Sequence, residues 1–502
     1  MQMPQTNRSF ITAVDEIVAR TRELYLSDSL PWVVGYSGGK DSTASLQIVW
    51  TALQSIRPEE RTKPVHVIST DTLVENPIVA EWVGHSLQRM EAAAQEQGLP
   101  VRTHRLMPTL RNRFWVNLIG KGYPAPRPKF RWCTSRLKIN ASNDFINEVV
   151  SKYGEAILVL GSRRPESRAR AKVLDQYEAG STRANLSRNK ELDRVWVYTP
   201  IVEWSNDEVW EFIATMENPW GVSNGQLTNM YRSGTDGGEC PLVVDSSTPS
   251  CGDSRFGCYV CTLVDKDKSM QAMIQNDEEK AWMQPLVEFR NTWLSTDDRA
   301  VRDYRRMDGS MMVHKDRIVK GPYTQKHREN VLRALLAAQQ EVRRAAPADV
   351  AEMMLISLEE LEEIRRIWVV EKHEVEDRLP AIYEEVIGED YPGQPLENHM
   401  GLGRDDLALL DEICRARGDA DGIRYELIRN LLHVEAQQKN KLKRAGIFQE
   451  LASLVEKNSY SSAAEAEQSA LTYAERKRAL EPQQADDVGV ADQLATFELD
   501  LQ

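Results

Sequence analysis

Apolar positions along this chain fall into two rhythms. Trp32-Val33-Val34-Gly35-Tyr36, Pro64 to Ser69, Pro100 to Leu106, Ala156 to Leu160 and Val195 to Tyr198 are short apolar or β-branched runs of strand length. Between them the spacing lengthens. Residues 9–26 set Phe10, Val14, Ile17 and Leu24 on one side of a helix, and 43–53 and 77–97 keep a helical period. Strands alternating with helices predict an α/β fold, a parallel sheet with helices on both faces. Ligands of such sheets sit beyond the carboxyl ends of the strands. Three segments reach that edge here: the loop after the first strand, Asp71 after the second, and Gly161-Ser162-Arg163-Arg164 after the fourth.

The first of these loops is Ser37-Gly38-Gly39-Lys40-Asp41-Ser42. A glycine turn between strand and helix aims free backbone N–H groups and the positive helix end at an anion. Paired glycines let the backbone approach phosphate oxygens closely. Lys40 adds a mobile charge, and Ser37 and Ser42 add hydroxyls. The pattern is not a Walker A loop, which has Ser or Thr directly after Gly-Lys; here Asp41 intervenes. It resembles instead the PP-loop of the ATP pyrophosphatases, which cleave ATP between the α and β phosphates. That resemblance implies ATP as substrate, with Mg²⁺ near Asp41.

Residues 102–138 hold ten Lys or Arg and no Asp or Glu, with Phe114, Trp115, Tyr123, Phe130 and Trp132 interleaved. Prolines at 124, 126 and 128 predict an extended loop rather than a helix. Such a loop suits a polyanionic co-substrate, nucleic acid among them. It equally suits ATP phosphates or an acidic partner surface. Cys133 lies within it, before a helix expected from about Thr134. Positive neighbours and a helix start both favour a thiolate, which suits a sulfur nucleophile or persulfide carrier. From Gly161 the arginine-rich run GSRRPESRARAK suits a pyrophosphate leaving group, with Arg163 and Arg164 ahead of the helix.

Cys240, Cys251, Cys258 and Cys261 follow the spacing C-x10-C-x6-C-x2-C among glycines and prolines, which predicts an irregular loop. Four thiolates so gathered bind Zn²⁺ or an iron–sulfur cluster. Zinc ribbons pair their ligands twice, whereas only Cys258 and Cys261 are close here, so a [4Fe–4S] cluster is the better expectation. Beyond this loop, 265–335 reads as helical and of mixed charge. Glu352 to Tyr383 carries Met353, Leu355, Leu358, Leu361, Ile364 and Ile367 at helical spacing, expected as core or partner contact. Cys414 reads as a buried structural thiol.

Composition narrows the classes. At 502 residues the chain is long for one domain. Expected boundaries are 1–235 for the nucleotide domain, 236–335 for the cysteine-rich region, 336–460 for an acidic helical region, and 461–502 for a helix with a weakly ordered tail. A net charge of −13 argues against a protein that coats nucleic acid alone. No apolar run approaches the roughly 18 residues that suggest a membrane span, and the cysteines are too few and too uneven for a disulfide framework. A cytoplasmic location is expected.

Taken together, SGGKDS at 37–42, the arginines after Gly161 and Thr199-Pro200-Ile201…Trp204…Val209-Trp210 resemble the phosphoadenylylsulfate (PAPS) reductase family over roughly 30–215. Within it, Cys133 and the later four-cysteine loop look most like the DndC-type sulfurtransferases of bacterial DNA phosphorothioation. The resemblance implies an ATP pyrophosphatase with an iron–sulfur cluster, a cysteine desulfurase as sulfur donor, and partner phosphorothioation proteins acting on DNA. Two departures tell against a plain sulfonucleotide reductase. No Glu-Cys-Gly-Leu-His lies near the end of the chain, and Trp132-Cys133 stands where cluster-bearing members have Cys-Cys. A tRNA thiolase shares the loop and the cluster, and the basic stretch does not separate it.

Overall fold

A computed structural model describes the chain except residues 1–4, 167–170, 173–174, 176–182, 184, 190, 235–255, 349, 351, 397–402, 440–443 and 481–502. By contacts it divides into two units. One comprises 1–109 with 133–287; the other comprises 110–132 with 288–502. These units cut the chain at other places than the sequence boundaries 235, 335 and 460.

The first unit is built on a six-stranded sheet. Its strands are β1 (Trp32–Gly35), β2 (Val65–Thr70), β3 (Val101–Leu106), β4 (Ala156–Val159), β5 (Ser187–Arg188) and β6 (Val195–Tyr198), in the order β3-β2-β1-β4-β6-β5. All pair in parallel except β5, which runs antiparallel to β6. The five expected strands are present within a residue or two of their expected ends, and the α/β architecture holds.

Central strands of a sheet covered on both faces are apolar throughout. Accordingly Trp32, Val33 and Val34 are fully buried, and β4 is buried along its length. Strand order reverses at β1, with β2 on one side and β4 on the other. Crevices form at such switch points, and the loops after β1 and β4 both emerge at this one. The helix Lys40–Gln54 leaves the first loop and is buried over most of its surface. Pro77–Glu96 starts at an Asn76 cap whose side chain accepts from Ile78 N, with Pro77 in its first turn.

The second unit is mainly helical. Its segment 110–132 departs from the extended loop expected there. Val116–Lys121 is a π-helical turn, and only the proline-rich part after Gly122 is irregular. The turn is fixed by tertiary bonds. Trp115 Nε1 donates to Leu355 O at 2.7 Å, and Trp368 Nε1 donates to Ile119 O at 2.9 Å. The apolar stripe expected after 352 is core: Leu355, Leu361, Ile364 and Ile367 are buried. The expected all-helical 265–335 is interrupted by an antiparallel hairpin, Met312–His314 with Arg317–Val319, turning through positive φ at Lys315 and Asp316. Cys414 is buried, as expected. No described helix is long and apolar enough to cross a membrane.

Candidate active site

The loop 37–42 is held in one shape by its own side chains. Ser42 Oγ donates to Gly39 O at 3.0 Å, and lies 3.2 Å from Ser37 N and 3.1 Å from Ser37 Oγ. Gly38 adopts φ +73°, and a Cβ there would stand 2.5 Å from Val83 Cγ2, so both backbone and space require glycine. Trp82 Nε1 donates to Gly38 O at 3.0 Å. Gly39 occupies the N-cap of the following helix without a capping side chain, leaving first-turn N–H groups facing the cleft.

Asp41 ties two cations together. Its Oδ2 lies 3.0 Å from Lys40 Nζ, and its Oδ1 accepts from Arg163 Nε at 2.6 Å. Arg163 is only 3% exposed and also donates to Trp204 O at 3.0 Å. Asp41 thus positions Lys40 and Arg163 at the loop. Gly161 brings the two loops into contact: a Cβ there would lie 2.7 Å from Asp41 C and O and 2.9 Å from Ser42 N.

These residues line a cleft of about 920 Å³ at the strand ends, together with Thr70, Glu75, Lys138 and Tyr231. Two expected site residues stand aside from it. Asp71 accepts from Arg105 at 2.6 and 3.1 Å and from Leu73 N at 2.8 Å, and Arg164 bonds Glu203 at 2.7 Å and also Asp175. Neither lines the cleft.

Two thiols follow directly on the cleft wall, since Gly257 lines it and Cys258 is the next residue. The backbones of Cys258 and Glu75 pair in an isolated antiparallel β-bridge, Tyr259 N donates to Val74 O at 3.0 Å, and Asn76 N donates to Gly257 O at 3.1 Å. These bonds fix the Cys258–Cys261 turn beside the end of β2. Cys258 Sγ is 3.4 Å from Thr72 Oγ1. Lys138 Nζ lies 3.4 Å from Glu75, and its charge is felt at both Cys258 and Cys133. Cys133 and Cys258 each also sense Cys261.

The surroundings of Cys133 do not by themselves favour the thiolate. Burial pushes its thiol up, and the Thr134 hydrogen bond and Lys138 oppose that only in part. Burial likewise raises Cys258 to about 11. Lys138 is held above its ordinary value: burial acts against its charge, but Cys258 and Glu75 outweigh it. Glu75 is itself raised by burial.

Thiols without histidine are the donor chemistry of an iron–sulfur cluster. Cys258 and Cys261 fit that role. Cys240 and Cys251 lie outside the described residues, and among the described residues no three ligating side chains form a metal-holding group. The helix expected from Thr134 starts at Trp132 and runs through consecutive helical segments to Tyr153, placing Cys133 in its first turn.

Of the five aromatics in the basic stretch, four are core and Phe130 is half-buried. Phe114, Trp115, Tyr123 and Trp132 are each 1–2% exposed and pack on one another, with Phe114 stacked on Trp132 at 5.3 Å. Lys129 and Arg131 remain exposed. Sequence reasoning missed Glu75 and Tyr231. Glu75 had a signal in its place just after the second strand end; Tyr231, 191 residues from Lys40, had none.

Residues 31–263 match the sequence profile of the phosphoadenosine phosphosulfate reductase domain. No curated protein sequence matches the chain. Solved structures similar to it include Candida glabrata FMN adenylyltransferase in complex with FAD and inorganic pyrophosphate, 12% identical over 46% of this chain and 64% of that one, just under two thirds, with a TM-score of 0.27. PAPS reductase from Candida auris, as a phosphate complex, is 14% identical over 43% and 91%, TM-score 0.25. The U34-tRNA thiolase NcsA from Methanococcus maripaludis, with its [4Fe–4S] cluster, is 15% identical over 57% and 80%, TM-score 0.28.

Proposed function

We propose that this protein is an ATP-dependent sulfurtransferase that activates a DNA backbone phosphate by adenylation and replaces one of its oxygens with sulfur. One observation carries the reading. Lys138 and Glu75 line the cleft of the glycine loop, and the backbone of Glu75 pairs with that of Cys258, so the nucleotide cleft has thiols next to its wall. The match of residues 31–263 to the phosphoadenosine phosphosulfate reductase domain supports adenine-nucleotide sulfur chemistry.

In this mechanism the triphosphate lies over Ser37, Gly39, Lys40 and Ser42. Asp41 holds the Lys40 ammonium and the Arg163 guanidinium at the loop, where they neutralise charge on the departing pyrophosphate. An acceptor phosphate oxygen attacks the α-phosphorus and pyrophosphate leaves. The oxygen to be replaced then departs with AMP, displaced by a sulfur nucleophile. Cys133, carrying a persulfide received from a cysteine desulfurase, attacks the phosphorus through its outer sulfur as AMP leaves, and an added dithiol then reduces the S–S bond to free the phosphorothioate and the Cys133 thiol. Cys240, Cys251, Cys258 and Cys261 would hold a [4Fe–4S] cluster, which supplies electron or sulfur storage when bound. Asp41 would help to hold Mg²⁺, which would neutralise charge on the nucleotide phosphates. Partner phosphorothioation proteins supply much of the grip on DNA, since the chain carries net charge −13.

The test is to incubate the protein with ATP, a desulfurase with cysteine, and either DNA or tRNA, then digest and identify the sulfur-bearing nucleotide. A phosphorothioate dinucleotide from DNA supports the reading. A thiolated tRNA base reassigns the protein to the tRNA thiolases. Turnover of adenylylsulfate compounds without ATP reassigns it to the sulfonucleotide reductases.

A further inference from the structure

A second cavity, of about 430 Å³, opens at the other end of the strands, where β2 and β3 begin. It shares no lining residue with the cleft of the glycine loop. Side chains alternate along a strand, so His66 and Ile68 of β2 lie on one face of the sheet, with Arg102 and His104 of β3 beside them in register. Ile68 belongs there to a core cluster with Ile146 and Val149 of the helix Asn140–Tyr153. His66 and His104 share that covered face without being apolar. His66 Nδ1 lies 3.0 Å from His104 Nε2, and both rings pack on Phe145, at 5.6 and 4.6 Å between centroids.

The lining is cationic. Lys63 is buried and held by Asp28 at 2.7 Å, but Arg102 and Lys152 are exposed and form no ion pair among the described residues. Glu148 is the one carboxylate in the lining. Three cations against one carboxylate disfavour a metal ion at the imidazole pair and favour an anion. Burial foremost, with the charges of His104, Arg102 and Lys152, lowers His66 to about 4, and burial lowers His104 as well, so both rings are neutral at pH 7. An N–H···N bond between neutral imidazoles uses one donor and one lone pair. The two remaining nitrogens are then one N–H and one lone pair, in either tautomer. Among the described residues neither has another hydrogen-bond partner, and neither is sealed from solvent.

We infer that this cavity is a second ligand site, taking an anion of mononucleotide size that carries a flat ring. The ring meets the imidazole and phenyl wall, where one donor and one acceptor match the edge of a heterocycle. The acid group meets Arg102 and Lys152. At about 430 Å³ the cavity falls within the roughly 300–1,000 Å³ of small-molecule sites. A nucleic-acid strand needs instead a groove with successive cations and stacking rings.

The experiment labels the histidines of the full chain with ¹³C at Cε1 and assigns His66 and His104 by His66→Gln and His104→Gln. AMP, UMP, uridine and inorganic phosphate are then titrated by NMR, into this protein and into Lys40→Ala. AMP or UMP should move both resonances saturably and to the same extent in Lys40→Ala. Uridine and phosphate should each bind roughly tenfold more weakly or worse, and Arg102→Ser with Lys152→Ser should weaken the nucleotide about tenfold. The melting temperature of that double variant should stay within a few degrees. No movement with either nucleotide overturns the inference, as does movement lost in Lys40→Ala, which would originate in the cleft of the glycine loop. Equal affinity for phosphate alone, or for the double variant, overturns it too. Binding of a short single-stranded DNA about tenfold tighter than either nucleotide overturns it in favour of a nucleic-acid track.

Discussion

Gly161→Ala is the sharpest perturbation of the junction between the two loops. The added methyl would meet Asp41 C and O at 2.7 Å and Ser42 N at 2.9 Å. These are backbone atoms in the first turn of a buried helix, so no flexible side chain can yield. Inserting a methyl into packed surroundings costs about 1–3 kcal/mol, which for a unit of this size lowers the melting temperature by about 2–10 °C. The chemical effect should be larger than the thermal one. Arg163 lies two residues on and reaches Asp41 Oδ1 at 2.6 Å. A shift of even 1 Å in the loop would break that bond and displace a charge from the pyrophosphate, and misplacements of that size can cost about 100-fold in rate. Gly84→Ala is the control. Its Cβ would come no closer than 3.8 Å to Arg105 Nη1, within the helix Pro77–Glu96. Alanine there should stabilise by about 0.5–1 kcal/mol. Differential scanning fluorimetry and pyrophosphate release on both variants test the argument. A Gly161→Ala protein with unchanged melting temperature and rate would refute the close approach of the loops.

Asp41→Asn should leave Lys40 and the buried Arg163 without their shared anion. The cost is between about 1 and 3 kcal/mol, less than the roughly 3–5 for a fully buried pair because Asp41 is 25% exposed; pyrophosphate release should fall more than 100-fold, read in the same assays. Cys133→Ser should retain pyrophosphate release and iron content but lose sulfur transfer; iron loss by elemental analysis would make Cys133 a ligand instead. In the second unit, Glu376 is partly buried, which alone would raise its carboxyl, but Arg429 at 2.9 Å and the Tyr425 hydroxyl hold it below its ordinary 4.5. A depressed carboxyl contributes stability above pH 4.5 that is lost as pH falls through its folded value. Glu376→Gln should therefore be less stable at pH 7 and lose less on acidification, as urea melts at pH 7 and pH 3.5 would show.

The sheet was legible because its central strands are buried on both faces and so read as unbroken apolar runs: Trp32 to Val34 and Ala156 to Val159 admit no polar residue. The loop at 37–42 was legible because its glycines, serines and charges are consecutive. What sequence concealed was determined by distant contacts. The aromatics at 114, 115, 123 and 132 look like a stacking surface beside so many cations, yet they are core: they pack on one another, and Trp115 is tied to Leu355, more than 200 residues on. Asp71 sits at the right strand end, but Arg105 draws it out of the cleft. Cys133 has cationic neighbours in sequence, but burial outweighs them. Tyr231 carries no local signal because its meaning comes only from the loop it touches.

The central claim is that the loop at 37–42 directs attack to the inner phosphorus of ATP. Product analysis of [α-³²P]- and [γ-³²P]ATP incubated with the protein, an acceptor and Mg²⁺ tests it directly, with Lys40→Ala as the blank. The account predicts AMP or an adenylylated acceptor together with pyrophosphate, all lost in the variant. ADP with orthophosphate, or products unchanged by Lys40→Ala, would contradict it.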